Sequence, residues 1–71
     1  MFLGETMSST RLASMLVRLR GRITQEELAR RAKVSRGYLA ALEAGHKKNP
    51  SLAILKRLAK ALGVPVTELL E

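Results

Sequence analysis

The 71-residue chain has no cysteine, no tryptophan and only one histidine. Without a thiol it can form neither a disulfide nor a thiolate metal site, and a lone histidine leaves zinc almost without ligands, so we expect neither a metal nor a cofactor. The missing cysteines also suit a reducing compartment. No apolar run approaches the ~18 residues of a membrane-spanning helix, and the amino terminus has no basic leader. The sequence therefore predicts a cytoplasmic protein without membrane contact.

The residue combinations that enzymes use are missing as well. The sequence offers no nucleophile beside a base, no paired carboxylates and no cluster of metal ligands, so we expect a binding protein and not an enzyme. At 71 residues the chain is one domain. Below ~70–80 residues a single core rarely supplies more than a few kcal/mol without a disulfide, a metal or a partner subunit. Self-association is therefore plausible on grounds of stability.

The charge is strongly positive and unevenly placed. The chain has thirteen basic and six acidic residues. All thirteen basic residues lie between Arg11 and Lys60 with only three acids, so this stretch carries +10 and the ends carry −3. Such a field favours a polyanion as partner, through steered association and counterion release. The alternative is a charged surface that only keeps the domain soluble.

Apolar residues recur with the period of a helix along the whole chain. Leucines and a methionine spaced at i, i+3, i+4 and i+7 predict a first helix from about Ser9 to Arg20. Capping residues and glycines mark four more helices, at about 25–33, 36–43, 52–62 and 66–70. Since no strand pattern, repeat or low-complexity tract interrupts them, the sequence predicts an all-α, compact five-helix bundle. We expect residues 1–7 to form a poorly ordered arm and residues 8–71 the domain.

The second and third predicted helices lie very close together in the sequence. Thr24 and Glu27 form a T-x-x-E capping box, in which each side chain can bond the backbone amide of the other residue. Ser35 caps the third helix, and only Val34 separates this cap from the end of the second helix. The sharp turn lets the second helix lie across a phosphate backbone while the third enters the ~12 Å major groove.

Residues 18–70 resemble the Cro and phage-repressor (XRE-type) helix-turn-helix family of bacterial and phage transcription regulators. The resemblance covers about three quarters of the chain and is carried by TQEELARRAKVSRGYLAALEAG, NPSLAILKRLAKALGV and the final ELL. It implies a lambda-repressor-like DNA-binding domain, usually dimeric on a palindromic operator. The chain departs from the family at Arg22, where glycine is frequent, and at Pro65, where Ser or Asp often caps the fifth helix.

The third helix is the predicted recognition helix, and one of its faces should meet DNA. That face consists of Arg36, Gly37, Ala40, Ala41 and Ala44, of which the first four are the candidates for reading bases. Arg36 could bind a guanine edge through two hydrogen bonds or could hold a phosphate. Gly37 could allow the backbone to approach DNA closely or could be a tolerated glycine. The two alanines could meet thymine methyl groups or only avoid a clash.

Several polar residues around this helix are candidates for phosphate contacts. Gln25 resembles the family glutamine that contacts a phosphate, although it could be only an exposed helix former. Tyr38 could point its hydroxyl at a phosphate or could fill the core. The loop after the recognition helix is basic, and its side chains either contact phosphates or are only solvated. The residues of this loop are His46, Lys47, Lys48 and Asn49.

Two further sets of residues have predicted structural roles. Arg18 and Glu43 fit the family's partly buried ion pair, which joins the first helix to the end of the third. The carboxyl-terminal helix is more apolar than a small core requires, so part of it should face a second subunit or simply close the bundle. The residues concerned are Val64, Val66, Leu69 and Leu70.

The sequence thus predicts a regulator that binds double-stranded DNA at specific sequences, most simply a homodimeric repressor on a palindromic operator. A different class of function is a protein-interaction module that contacts a toxin or RNA polymerase and binds DNA only loosely. Nonspecific nucleic-acid coating or RNA binding is a third possibility. A palindrome recovered from random duplexes would favour the first of these.

Overall fold

The computed structural model describes residues 4–47 and 50–70, with the backbone alone for residues 4–10. The described residues form five α-helices and no strand, which confirms the predicted all-α five-helix fold. The helices are α1 (Gly4–Arg20), α2 (Gln25–Ala32), α3 (Arg36–Glu43), α4 (Leu52–Leu62) and α5 (Thr67–Leu70). None of the described helices is long and apolar enough to cross a membrane.

Helices α2, α3 and α4 begin where their capping residues predicted. In each case the hydroxyl of the residue before the helix accepts a hydrogen bond from a backbone amide three residues later, which typically stabilises a helix by about 1 kcal/mol. The pairs are Thr24 with the Glu27 amide at 3.0 Å, Ser35 with the Tyr38 amide at 2.9 Å and Ser51 with the Ile54 amide at 3.2 Å.

The capping box of α2 forms only in part. The carboxylate of Glu27 accepts hydrogen bonds from Arg31, at 2.8 Å, and from Arg30, instead of turning back to the amide of Thr24. The arginines lie one turn further along the helix, and a charged donor binds a carboxylate more strongly than a neutral amide does. The hydrogen bond from Arg31 is the main cause that lowers the pKa of Glu27 below its ordinary value.

Three of the helices end in the same hydrogen-bonded motif. A residue just past the helix, the first after α2 and α4 and the second after α3, adopts left-handed φ, and its amide and the next one bond back to carbonyls of the last turn. These residues are Gly45 (φ 78°), Gly63 (φ 73°) and Lys33 (φ 60°). Helix α2 therefore ends at Ala32, one residue earlier than predicted, because Lys33 has left the helical conformation.

The first helix is longer than its apolar spacing predicted. It begins at Gly4 rather than near Ser9, so residues 4–7, predicted to belong to a poorly ordered arm, are helical. Apolar periodicity marks only the part of a helix that packs, and a helix can continue beyond its packed face. Residues 1–3 of the predicted arm lie outside the described residues.

The core is built from leucine and alanine. Its centre consists of five leucines that are less than 2% exposed: Leu16, Leu28, Leu39, Leu42 and Leu58. Helix α2 packs on α3 and α4, α1 packs on α3 and α5, and α4 packs on α5. The fully buried residues in the part of the chain that the structure describes are all leucine or alanine. The hydrophobic effect is thus the main source of stability here.

The single turn of α5 separates two of the predicted dimer residues. Leu69 is only 4% exposed and belongs to the core of its own chain, so its assignment to a subunit interface was wrong. Leu70 follows about 100° further around the helix and is 53% exposed. Val64 and Val66 are partly buried against the core. Of the four candidates, Leu70 has the side chain most available to a partner.

The carboxylate of Glu43, at the end of α3, joins α3 to α1 and α2. It accepts two hydrogen bonds from Arg20, Nε to Oε2 at 2.8 Å and Nη2 to Oε1 at 2.9 Å. Its Oε1 also accepts from Nε2 of Gln25 at 2.8 Å. Arg20 additionally donates to the carbonyl of Ile23 at 2.9 Å, in the segment between α1 and α2. The Glu43 side chain is 4% exposed and that of Arg20 is 20% exposed.

The predicted partner of Glu43, Arg18, was therefore wrong. Arg18 and Arg20 lie about 200° apart around α1, so only one of them can face Glu43. Arg20 is the last residue of the helix, where the chain turns toward Gln25, and it occupies the position between α2 and α3. Arg18 is exposed at the edge of a groove between α1 and the end of α3.

Removal of either true partner should destabilise the fold. Glu43→Ala leaves a largely buried guanidinium without its acceptor, so we expect the free energy of unfolding to fall by about 3 kcal/mol, or roughly 12–24 °C in Tm for a domain of this size. Arg20→Ala should act in the same direction. The matched control is Arg18→Ala, an exposed arginine on the same helix, which should change stability by at most ~0.5 kcal/mol. Thermal melts followed by circular dichroism measure all three, and equal losses for the two arginines would contradict this pairing.

The left-handed conformation of Lys33 makes a second prediction about stability. A side chain at positive φ is strained, whereas glycine adopts this conformation freely but loses more entropy on folding. We expect Lys33→Gly to raise stability by about 0.5–1 kcal/mol. Gly63→Ala is the converse control, because Gly63 has the same motif and an added Cβ would meet no atom within 4 Å. Gly63→Ala should therefore lower Tm. If Lys33→Gly also lowered stability, the prediction would be wrong, and the lysine side chain would be shown to stabilise the fold.

Candidate nucleic-acid interface

Helix α3 presents to solvent the face that the helical wheel predicted. Arg36 and Gly37 are exposed, and Ala40 and Ala41 are partly exposed. The opposite face is held in the core by Leu39 and Leu42, which are at most 1% exposed. The structure therefore brings the four predicted base-reading residues together on one outer surface. That they read bases remains a prediction.

Gly37 has no role in the packing of the described residues. A Cβ added to it would meet no atom within 4 Å, and its backbone does not have the positive φ that requires glycine. Inside a helix, glycine is less favourable than alanine by up to about 1 kcal/mol. The packing of the described residues thus gives no reason for a glycine here, and close approach of the backbone to DNA remains a prediction beside the alternative of a tolerated glycine.

Gln25 has a role that the sequence did not predict. A carboxylate only accepts hydrogen bonds, so it is the amide nitrogen of Gln25 that faces Glu43. That nitrogen has two N–H groups, and one remains for another acceptor. The phosphate contact of Gln25 remains a prediction, with its side chain oriented by Glu43. Because Gln25 and Glu43 are 18 residues apart, no local pattern could have revealed the pair.

Tyr38 packs its ring against the core, as one of the two alternatives predicted. The ammonium of Lys47 lies over this ring, 5.6 Å from its centroid. An aromatic face attracts a cation at such a distance, by about 0.5–1 kcal/mol at exposed sites. Lys47 is therefore positioned beside α3 rather than left free in solvent. The direction of the hydroxyl toward a phosphate remains a prediction.

The loop after α3 is attached to the end of that helix. The carbonyl of Ala41 accepts hydrogen bonds from the amides of His46, at 2.9 Å, and Lys47, at 3.3 Å. Both side chains are exposed. Lys48 and Asn49 lie outside the described residues, so their phosphate contacts stay predictions.

The electrostatics of the surface are dominated by arginine and lysine. Of the cations whose side chains are described, all but Arg20 are exposed. Ion pairs among the described residues use only Arg20, Arg30 and Arg31. In the same part of the chain, no three acidic or histidine side chains come together as a metal site would require. This surface is suited to a polyanion.

The relatives of this chain are regulators. Residues 15–69 match the family model described as Helix-turn-helix, HTH_3. The chain is 43% identical over 51 residues to the immunity repressor protein of Bacillus phage phi105. The match covers 72% of this chain and 35% of that protein. It is 47% identical over 47 residues to the uncharacterized HTH-type transcriptional regulator y4dJ of Sinorhizobium fredii (strain NBRC 101917 / NGR234). This match covers 66% of this chain and 60% of that protein. The matched segment thus spans about a third and three fifths of these two relatives.

A solved structure has the same architecture. The crystal structure of the restriction-modification controller protein C.AhdI from Aeromonas hydrophila matches with a TM-score of 0.81 and 32% sequence identity. The match covers 86% of this chain and 94% of that one. Since the family model covers most of the chain, from the middle of α1 to α5, the chain belongs to the helix-turn-helix family of DNA-binding transcription regulators, which are not enzymes.

Proposed function

We propose that this chain is a cytoplasmic repressor that binds a palindromic DNA operator as a homodimer. The observation that carries the proposal is the exposed face of α3, which has one long polar side chain, Arg36, on a surface otherwise made of glycine and alanine. Basic and amide side chains flank this face. A helix with such a smooth surface can enter the major groove deeply while its neighbours hold the phosphates.

Base recognition would depend on Arg36. It follows the cap Ser35 directly, so it lies in the first turn of α3, the part of a recognition helix that reaches base edges. Its guanidinium can donate to O6 and N7 of guanine at once. Because Ala40 and Ala41 have no hydrogen-bonding side chain, the remaining specificity would come from thymine methyl groups and from the shape of the DNA.

Phosphate contacts would come from both flanks of α3. On one flank, the free N–H of Gln25 and the amino end of α2 suit a phosphate, which the helix dipole also favours. On the other, Lys47 is supported by the ring of Tyr38, with His46 beside it in the loop. These contacts would fix the register of α3 but carry no sequence information themselves.

Dimer formation would involve the end of α5. Leu70 is 53% exposed, and the neighbouring Val64 and Val66 are only partly buried, so a second copy could bury apolar area there. A two-fold axis through such a contact repeats the same patch on both subunits. Two copies of α3 would then read half-sites about one helical turn, ~34 Å, apart.

The predicted roles of Arg36 and Lys47 can be separated on DNA. Selection from random duplexes at ~150 mM salt should first recover a palindrome. On that operator Arg36→Ala should cost about 1–3 kcal/mol and relax the preference at one base pair of each half-site, with little loss on random DNA.

Lys47→Ala is the matched comparison, since it removes a cation of a different role. Lys47→Ala should weaken binding to the operator and to random DNA by the same factor. The plot of log K against log salt concentration should become less steep, by about one unit for each phosphate that the variant no longer neutralises. If Arg36→Ala instead weakened both DNAs equally with base preference intact, Arg36 would hold only a phosphate. A pool without a palindrome would favour the protein-interaction module, with a toxin or RNA polymerase as partner.

The dimer is tested by sedimentation equilibrium without DNA. We expect a monomer–dimer equilibrium below ~100 µM, weakened by Leu70→Gln because a polar side chain removes apolar area from the interface. Leu52→Gln is the matched control: Leu52 is 51% exposed but lies at the start of α4. A monomer alone at all concentrations, with no pairing on DNA, or an equal effect of both variants, would contradict the proposed interface.

A further inference from the structure

A shallow cleft lies between the turn from α2 to α3 and the side of α4. It is lined by Lys33, Val34, Ser35, Tyr38, Ile54 and Arg57. Two of these residues are cations, and none is acidic. Val34 and Ile54 are partly buried against the core and supply an apolar floor. The cleft therefore combines positive walls with an apolar base.

The two cations of the cleft come from different parts of the sequence. Lys33 follows the last residue of α2, whereas Arg57 lies in the middle of α4, and the packing of α2 on α4 brings both to the cleft. Both residues are exposed, and neither belongs to an ion pair among the described residues. Their charges are therefore available to a partner.

Tyr38 connects the cleft to the interface of α3. Its ring forms part of the cleft wall and also lies under the ammonium of Lys47. Ser35, which caps α3, lines the cleft as well, and Arg36 of the exposed face follows it directly. The cleft thus adjoins Lys47, for which a phosphate contact is proposed.

The backbone at Lys33 is a separate observation. Every other residue with positive φ in the described part of the chain is a glycine. Strained residues of this kind persist when the surrounding structure requires them, and they cluster at functional sites. Lys33 is thus the one non-glycine residue in the described part of the chain at a position better suited to glycine.

We propose that this cleft binds the sugar-phosphate backbone of one operator strand. Lys33 and Arg57 hold the phosphate, the hydroxyl of Tyr38 donates to it, and Val34 and Ile54 contact the deoxyribose. The apolar floor favours a phosphate that carries a sugar over free inorganic phosphate. This inference rests on the proposed function, and it adds a phosphate contact beyond those of Gln25 and the loop.

The test uses the operator recovered by selection and a set of duplexes that each carry one neutral methylphosphonate. For the wild-type chain, methylphosphonates at the phosphates held by Gln25 and the loop should weaken binding. One or two further methylphosphonates in each half-site, at the phosphates of the cleft, should weaken it about tenfold, as expected when a charge-assisted hydrogen bond is removed. Arg57→Gln should bind the unmodified operator about tenfold more weakly and should lose only the sensitivity to the methylphosphonates of the cleft. Its matched control is Lys56→Gln, an exposed cation on the same helix that does not line the cleft.

Lys33→Gly separates this phosphate contact from folding. It should bind the operator more weakly and lose sensitivity to the same methylphosphonates, while its Tm is at least that of the wild type. Inorganic phosphate at matched ionic strength should compete no better than chloride. Competition specific to inorganic phosphate that Arg57→Gln abolishes would show a free-anion site and overturn the assignment to DNA.

The outcomes also distinguish failure of the proposed function from failure of the cleft contact alone. If the chain retains no duplex, both the proposed function and the cleft contact fail. If it selects an operator but Arg57→Gln and Lys56→Gln have the same sensitivity at every phosphate, the cleft contact alone is overturned. Loss of methylphosphonate sensitivity in Arg57→Gln and Lys33→Gly, with full sensitivity in Lys56→Gln, supports it.

Discussion

The carboxylate of Glu43 is the interaction on which the geometry of this domain depends. It receives the guanidinium of Arg20 from the end of α1 and the amide of Gln25 from the start of α2. Three helices are therefore fixed relative to one another by one nearly buried charge. Removing a partner from such a pair is costly because the remaining charge is left without a partner, even though the pair itself adds little net stability. The junction sets the orientation of α3 more than it strengthens the core.

Helix α3 is short, and its position is determined at both ends. Leu39 and Leu42 anchor its inner face, Ser35 caps its start, and Glu43 holds its end. A loose recognition helix would lose affinity, since ordering it on DNA would consume part of the binding free energy. The outer face can therefore consist of alanine and glycine without the helix losing its place. The rigidity comes from the inner face and the two ends.

The sequence predicted those features of the fold that depend on neighbouring residues. The starts of α2, α3 and α4 followed from hydroxyl caps, and two helix ends followed from Gly45 and Gly63, because capping acts over a few residues. Which of two nearby residues makes a contact between helices could not be predicted from the sequence. Whether Arg18 or Arg20 meets Glu43, and whether Leu69 or Leu70 turns inward, depends on the angle at which helices end and pack. The base-reading face was predicted as a surface, but the second role of Gln25 and the cleft at Arg57 arise only when distant segments come together.

The many exposed cations of this protein limit how well it can discriminate between DNA sequences. Exposed cations are many, and each phosphate contact increases affinity for any DNA, so charge alone would spread the protein over nonspecific sites. With one long side chain on the proposed reading face, direct discrimination between bases would be small. Phosphate contacts can add to discrimination only if they form together when α3 is seated, because an operator of the wrong shape then fails to form several of them at once. The fixed junction at Glu43 and the ring-supported Lys47 meet this requirement, since both hold donors at set positions relative to α3. If the proposed contacts form, specificity is therefore a property of the rigid arrangement of phosphate contacts as much as of Arg36.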